Sequence, residues 1–226
     1  MILKIPRGRP RQFDESTALD TALRLFWRHG YEGTPISTLA QAMGLTVASV
    51  YNAFGNKESL FMKAVEQYDR YSESLYNEAF AKTSAREVAR GILMGEVDLV
   101  SGEGTPEGCL MIQGALATSP ESEAVQQAMA KLRRQAEADV AARFKQFQEA
   151  GQLPSGWNAK ALAGYVITVA TGMAVQAKSG ASRQELIDVA DMAMKIWPEE
   201  REGNLPGELA WNASKSEEGT PAGPSR

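Results

Sequence analysis

Residues Thr46 to Ala53, TVASVYNA, carry two hydroxyls, a phenol and an amide and not one charge. Such side chains hydrogen-bond to base edges, pack on thymine methyls and approach phosphates without like-charge repulsion. Thr46, Val47, Ser49, Tyr51 and Asn52 are therefore candidate DNA-contacting residues. An ordinary solvated helix face would be rich in Glu, Lys and Arg, which argues against a simple helical hairpin in a core. Two flanking residues extend the set: Thr34, just ahead of a helix, and Lys57, at the start of another. The helix dipole disfavours a cation at a helix N-terminus, and a bound phosphate supplies the missing reason for Lys57.

The elements that must position these side chains are written in Ile36 to Lys57. Ser37 is expected to cap a helix with Ile36, Leu39, Ala40 and Met43 at three- and four-residue spacing, and Gly44 to end it. Leu45 fills the turn. Thr46 is expected to cap a second helix, Val47 to Phe54, with Val47, Val50 and Phe54 turned inward and the remaining residues sharing the outward faces. Small residues at Ala40 and Gly44 permit the steep crossing of a helix-turn-helix, whose second helix lies in the major groove. A preceding helix from Asp14 to His29 supports the pair through Ala18, Ala22, Leu25 and Phe26. Before it, Met1 to Gln12 holds Lys4, Arg7, Arg9 and Arg11 with Pro6, Gly8 and Pro10, and reads as a mobile arm contacting the minor groove or phosphates.

The chain has 226 residues and a net charge of −4, distributed unevenly. Met1 to Lys57 holds seven basic and four acidic residues, whereas Pro198 to Arg226 holds three basic and six acidic. The basic end is the end with the helix-turn-helix, as phosphate binding requires. One cysteine and one histidine exclude a disulfide framework and leave no ordinary zinc site, so no metal or cofactor is expected. A cytoplasmic protein without a signal peptide is the expectation. No paired catalytic constellation and no glycine-rich phosphate loop supports an enzyme. The competing reading is a helical interaction module or ligand-binding protein without sequence-specific DNA binding. It leaves the basic arm and the uncharged face unexplained.

The order Gly30-Tyr31, Gly33-Thr34, Leu39-Ala40, Gly44, Ser49-Val50-Tyr51, Phe54 and Lys57-Glu58-Ser59-Leu60 resembles the N-terminal domain of TetR-type transcriptional repressors, over about Phe13 to Tyr68. The resemblance implies an all-α fold: a three-helix DNA-binding domain and a larger helical domain for effector binding and dimerisation. It implies a homodimer on a double-stranded, pseudo-palindromic operator, with DNA contacts at Thr34, Thr46, Ser49, Tyr51, Asn52 and Lys57. Val47 and Ala48 depart from the family, which often has a basic residue and a glycine there; the departure bears on the operator sequence.

The expected organisation is an arm at 1–12, a DNA-binding domain at 13–56, an effector and dimerisation domain at 57–198 with a connecting helix at 57–79, and a disordered tail at 199–226. Helices are expected over Ser84 to Val100, Cys109 to Ala117, Ser119 to Ala150, Asn158 to Gly180 and Ser182 to Trp197. Asn158 to Gly180 is nearly uncharged, yet short for a membrane span and interrupted by Thr168 and Thr171, so a buried helix is the better reading. By the family resemblance the last two helices pair with their copies, through Gly164, Thr168, Gly172, Val175, Leu186, Val189, Ala193 and Trp197. Aromatic, Met and polar residues of the second domain nominate an effector pocket at Tyr68, Tyr71, Met94, Met111, Gln113, Phe144, Tyr165 and Thr168. Cys109 joins them as a candidate electrophile sensor: a helix N-terminus would favour its thiolate, and Gly108-Cys109-Leu110 is similar to a step in electrophile-sensing TetR-type repressors.

Overall fold

A computed structural model describes residues 14–102, 104–154 and 156–197. Arg7, Arg9 and Arg11 lie outside them, as does the tail after Trp197. Among the described residues there is no strand, and the helices run α1 (Glu15–His29), α2 (Ile36–Ala42), α3 (Val47–Phe54), α4 (Lys57–Phe80), α5 (Ala85–Ser101), α6 (Leu110–Gln113), α7 (Glu123–Glu149), α8 (Ala159–Lys178) and α9 (Arg183–Lys195). The fold is all-α, as expected.

Local chemistry sets most boundaries. Side chains of Asp14, Thr46, Asn56, Ser84, Asn158 and Ser182 each accept a backbone N–H of the helix that follows, satisfying donors that the first turn leaves open. At α9 Ser182 and Glu185 form a reciprocal capping box. Two expectations need correction. Ser37 caps nothing, because α2 starts one residue earlier with extended Pro35 ahead of it. The Cys109 helix is a single turn, α6, and the Gly114 carbonyl just after it accepts the Tyr31 N–H at 2.7 Å.

Above α2 and α3, the core is continuous. Phe61 of α4 packs edge-on against Phe26 of α1 (5.0 Å, 86°) and against Tyr31 (5.1 Å). Trp27 packs edge-on against Tyr68, one helical layer further along α4. At the far end of α4, a Cβ added at Gly91 of α5 would stand 2.9 Å from the Ala79 Cβ, so glycine is what lets these helices approach. The apolar α8 turns Leu162, Ala163, Val166, Ala170, Met173 and Ala174 into the core. No described helix is long and apolar enough to cross a membrane. Replacing Phe61, which is fully buried, by Ala should cost about 3–5 kcal/mol. A urea denaturation midpoint unchanged from wild type would contradict its place in the shared core.

Candidate DNA-binding surface and internal cavity

The α2–α3 turn is closed by Gly44 at φ +67, a left-handed conformation that favours glycine, and by the Leu45 N–H on the Ala40 carbonyl at 2.9 Å. Val50 and Phe54 are the buried residues of α3. That leaves Thr46, Ala48, Tyr51 and Asn52 exposed, with Tyr51 at 46 %, and Ser49 partly so. The Thr46 oxygen accepts the Ser49 N–H at 3.1 Å and pairs with the Ser49 hydroxyl at 2.9 Å, so the first turn is held rigid where it would meet a groove. Val47 is half-buried and packs on the core, so only part of it is offered outward.

Thr34 is corrected. Its side chain is fully buried, and its hydroxyl donates to the Gly30 carbonyl at 2.6 Å. The group expected on a phosphate instead ties down the end of α1. Lys57 is half-buried, with Nζ 4.2 Å from the centre of the Tyr31 ring. Burial lowers its pKa, with Glu32 acting in the opposite direction. The ring gives the ammonium an intramolecular partner that the sequence did not suggest.

In the larger domain a cavity of about 560 Å³ opens between α4, α5, α7 and α8. Of the expected pocket residues, Tyr68, Cys109 and Met111 line it. The others are placed elsewhere: Tyr71 is exposed beside Trp27, Met94 packs on the core and Gln113 donates to the Trp27 carbonyl at 2.6 Å. Phe144 is buried against Trp197, Tyr165 donates to the Ala193 carbonyl at 3.1 Å, and Thr168 faces outward while Thr171 lines the cavity. Tyr76, Phe80, Glu96 and Arg133 are among the lining residues that were missed. Glu96 falls four residues after Ile92 and eight after Val88 on the inward stripe of α5, and that register was the available signal.

The Cys109 expectation is reversed. The thiol is buried, and burial pushes it up to about 12, with the nearby Glu96 carboxylate adding to the effect. The Tyr68 hydroxyl donates to its sulfur at 3.2 Å. A single-turn helix does not offset that desolvation.

The expected pairing surface divides in two. Leu186, Ala193 and Trp197 are interior: α9 turns Leu186 and Ala193 with Ala190 and Met194 onto α5 and α8, and Trp197, just beyond α9, packs on Phe144 of α7. Gly164 lies toward α7, 3.4 Å from the Glu137 carboxylate if a Cβ is added. Thr168, Gly172 and Val175 of α8, Val189 and Met192 of α9 and Ile196 just after it are exposed.

A rigid helix-turn-helix presenting an uncharged polar face, carried by a larger helical domain with a cavity, defines a DNA-binding transcriptional regulator. The comparisons give the family. The model for bacterial regulatory proteins of the tetR family matches residues 18–64. The chain is 31% identical over 199 residues to the HTH-type transcriptional repressor ComR of Escherichia coli (strain K12), covering 87% of this chain and 95% of that one. It is 35% identical to a cysteine mutant of the TetR family transcriptional regulator CifR complexed with 26 bp double-strand operator DNA, with a TM-score of 0.80, covering 84% of this chain and all of that one. The reduced form of E. coli NemR, 22% identical with a TM-score of 0.67 over 80% of this chain and 95% of that one, shares the fold. The chain belongs to the tetR family of bacterial transcriptional regulators.

Cys109 should resist alkylation in the folded protein. At pH 8 burial reduces its thiolate from about a quarter of a free thiol to on the order of 10⁻⁴. Iodoacetamide labelling, followed by mass, should be slow in buffer and fast in denaturant; fast labelling of native protein would refute the buried thiol.

Proposed function

We propose that the chain is a homodimeric repressor of a pseudo-palindromic operator, released when a small molecule occupies the cavity between α4 and α8. The observation that carries the DNA-binding part is the exposed, uncharged face formed by Thr46, Ala48, Tyr51 and Asn52. The capture of a 35%-identical regulator on operator DNA supports it. Thr46, Ser49, Tyr51 and Asn52 are the groove contacts in this reading, and Lys57 exchanges the Tyr31 ring for a phosphate. A chromosomal operator implies a cytoplasmic site of action. The division into a basic arm at 1–12, a DNA-binding domain at 13–56, an effector and dimerisation domain at 57–198 and a tail at 199–226 belongs to the same reading.

Dimerisation is supported by the exposed apolar side chains Val175, Val189, Met192 and Ile196 on adjoining helices. Val189, Met192 and Ile196 recur at three- and four-residue spacing, so one face of α9 is apolar toward solvent while the opposite face fills the core. A two-fold pairing there brings two copies of α3 to one duplex. For the effector, the buried thiol favours a reversible ligand over a thiol-reactive one. Ligand and operator then compete through a conformational equilibrium, each lowering affinity for the other.

Tyr51→Ala should weaken operator binding by about 1–3 kcal/mol, and Lys57→Ala should reduce the salt slope of the binding constant by about one. Fluorescence anisotropy across a salt series reads both; wild-type behaviour in both variants would sink the assignment. The double change Met192→Glu with Ile196→Glu should yield a folded monomer in sedimentation. A dimer that persists would move the pairing surface elsewhere.

A further inference from the structure

Glu96 is the group in the cavity that the protein leaves unanswered. It lines the cavity and is 5 % exposed, and among the described residues no ion pair reaches it. The charged and titratable groups around it are few. From α4 come Tyr68 and Tyr76, with Asp69 and Glu73 along the same wall, and Cys109 comes from the start of α6. From α7 come Arg133, Arg134, Glu137 and Asp139, whereas α8 supplies Ile167, Ala170 and Thr171 and no charge. Arg133 donates to the Met111 carbonyl at 2.8 Å and forms no ion pair with Glu96. Arg134 is exposed. The lining thus holds five carboxyl groups and two guanidinium groups, with the most deeply placed carboxyl unpaired.

A buried carboxyl without a partner is costly, and its chemistry is completed by a cation arriving with the ligand. Tyr68, Tyr76 and Phe80 line the same cavity, and aromatic rings attract such a charge. We propose that the cavity binds an apolar organic cation, a protonated amine or quaternary ammonium, with its charged centre on Glu96 and its apolar part against Ile112, Ile167 and Ala170. This rests on the cavity being the effector site and adds the ligand class.

The arrangement makes binding pH-dependent. Burial pushes the Glu96 carboxyl up to about 8, so in the empty cavity it is protonated at neutral pH. A permanent cation selects the carboxylate, so binding expels a proton. Affinity therefore rises with pH and levels off above about 8, with a gain on the order of fiftyfold between pH 6 and pH 8.

The probe is benzyltrimethylammonium, whose charge does not titrate, compared with neopentylbenzene, its uncharged isostere. Calorimetry on the full chain, in buffers of different ionisation enthalpy, reads affinity and proton release without DNA. The expected result is cation binding at least tenfold tighter than the isostere, with proton release at pH 7. Glu96→Gln should weaken the cation at least tenfold and abolish the release while helicity is kept. Tyr76→Leu should weaken the cation several-fold and leave the isostere unchanged. The proposal is overturned if millimolar cation gives no binding, if Glu96→Gln binds it as wild type does, or if the isostere binds as tightly, which would make Glu96 a neutral hydrogen-bond donor. Operator anisotropy separates the two readings: bound cation that leaves operator affinity unaltered keeps the ligand class and removes the release mechanism.

Discussion

The end of α1 is the joint on which both halves of the molecule depend. The Trp27 indole N–H donates to the Gly108 carbonyl at 2.7 Å, the Tyr31 N–H to the Gly114 carbonyl at 2.7 Å, and the Gln113 amide to the Trp27 carbonyl at 2.6 Å. Lys178 at the end of α8 adds a bond to the Arg28 carbonyl at 3.1 Å. Leaving such groups unmade inside a protein costs about 1–3 kcal/mol each. Segment 108–114 and the end of α1 are therefore tied by three hydrogen bonds. That segment also carries Cys109, Met111 and Ile112 of the cavity wall. The wall segment thus contacts α1, which in turn packs on α2 and α4, while α3 packs on α2 and α4.

What the sequence made readable follows the range of the forces involved. The helix-turn-helix and the cap at Thr46 rest on bonds within a few residues and stand where the sequence put them, whereas the cap expected at Ser37 is not formed. Thr34 departs too. A threonine ahead of a helix reads as exposed, and only the meeting of α1 with its neighbours buries it. Nor could periodicity choose the inner face of α9, where Leu186, Val189, Ala190, Met192, Ala193 and Met194 are apolar on several sides. Packing against α5 and α8 decided that question.

The cavity was the least readable feature, for the same reason. Aromatic and Met residues are as common in a core as in a ligand site; Phe144 went to the core, and the partly buried Tyr165 packs against it. The informative residue was a charged one in an apolar register. Glu96 shares the α5 stripe with Val88 and Ile92, where a carboxyl has no packing role. The Cys109 expectation failed because a helix N-terminus acts on a thiol only if the helix is long enough and the sulfur wet enough, and here neither holds.

Lys57 joins these threads. It stands at the first residue of α4, next to the DNA-facing turn, yet its ammonium rests on the ring of Tyr31, whose backbone is bonded to the end of α6. A cation in that position is not independent of the joint. A shift of Gly114 displaces Tyr31, and the ring that steadies Lys57 moves with it. Two quantities important to a DNA-binding surface, the placement of α3 and the placement of a nearby positive charge, are thus coupled to a single short segment. Close-packed interiors have little free volume to absorb a displacement, so neither placement is independent of how that segment packs.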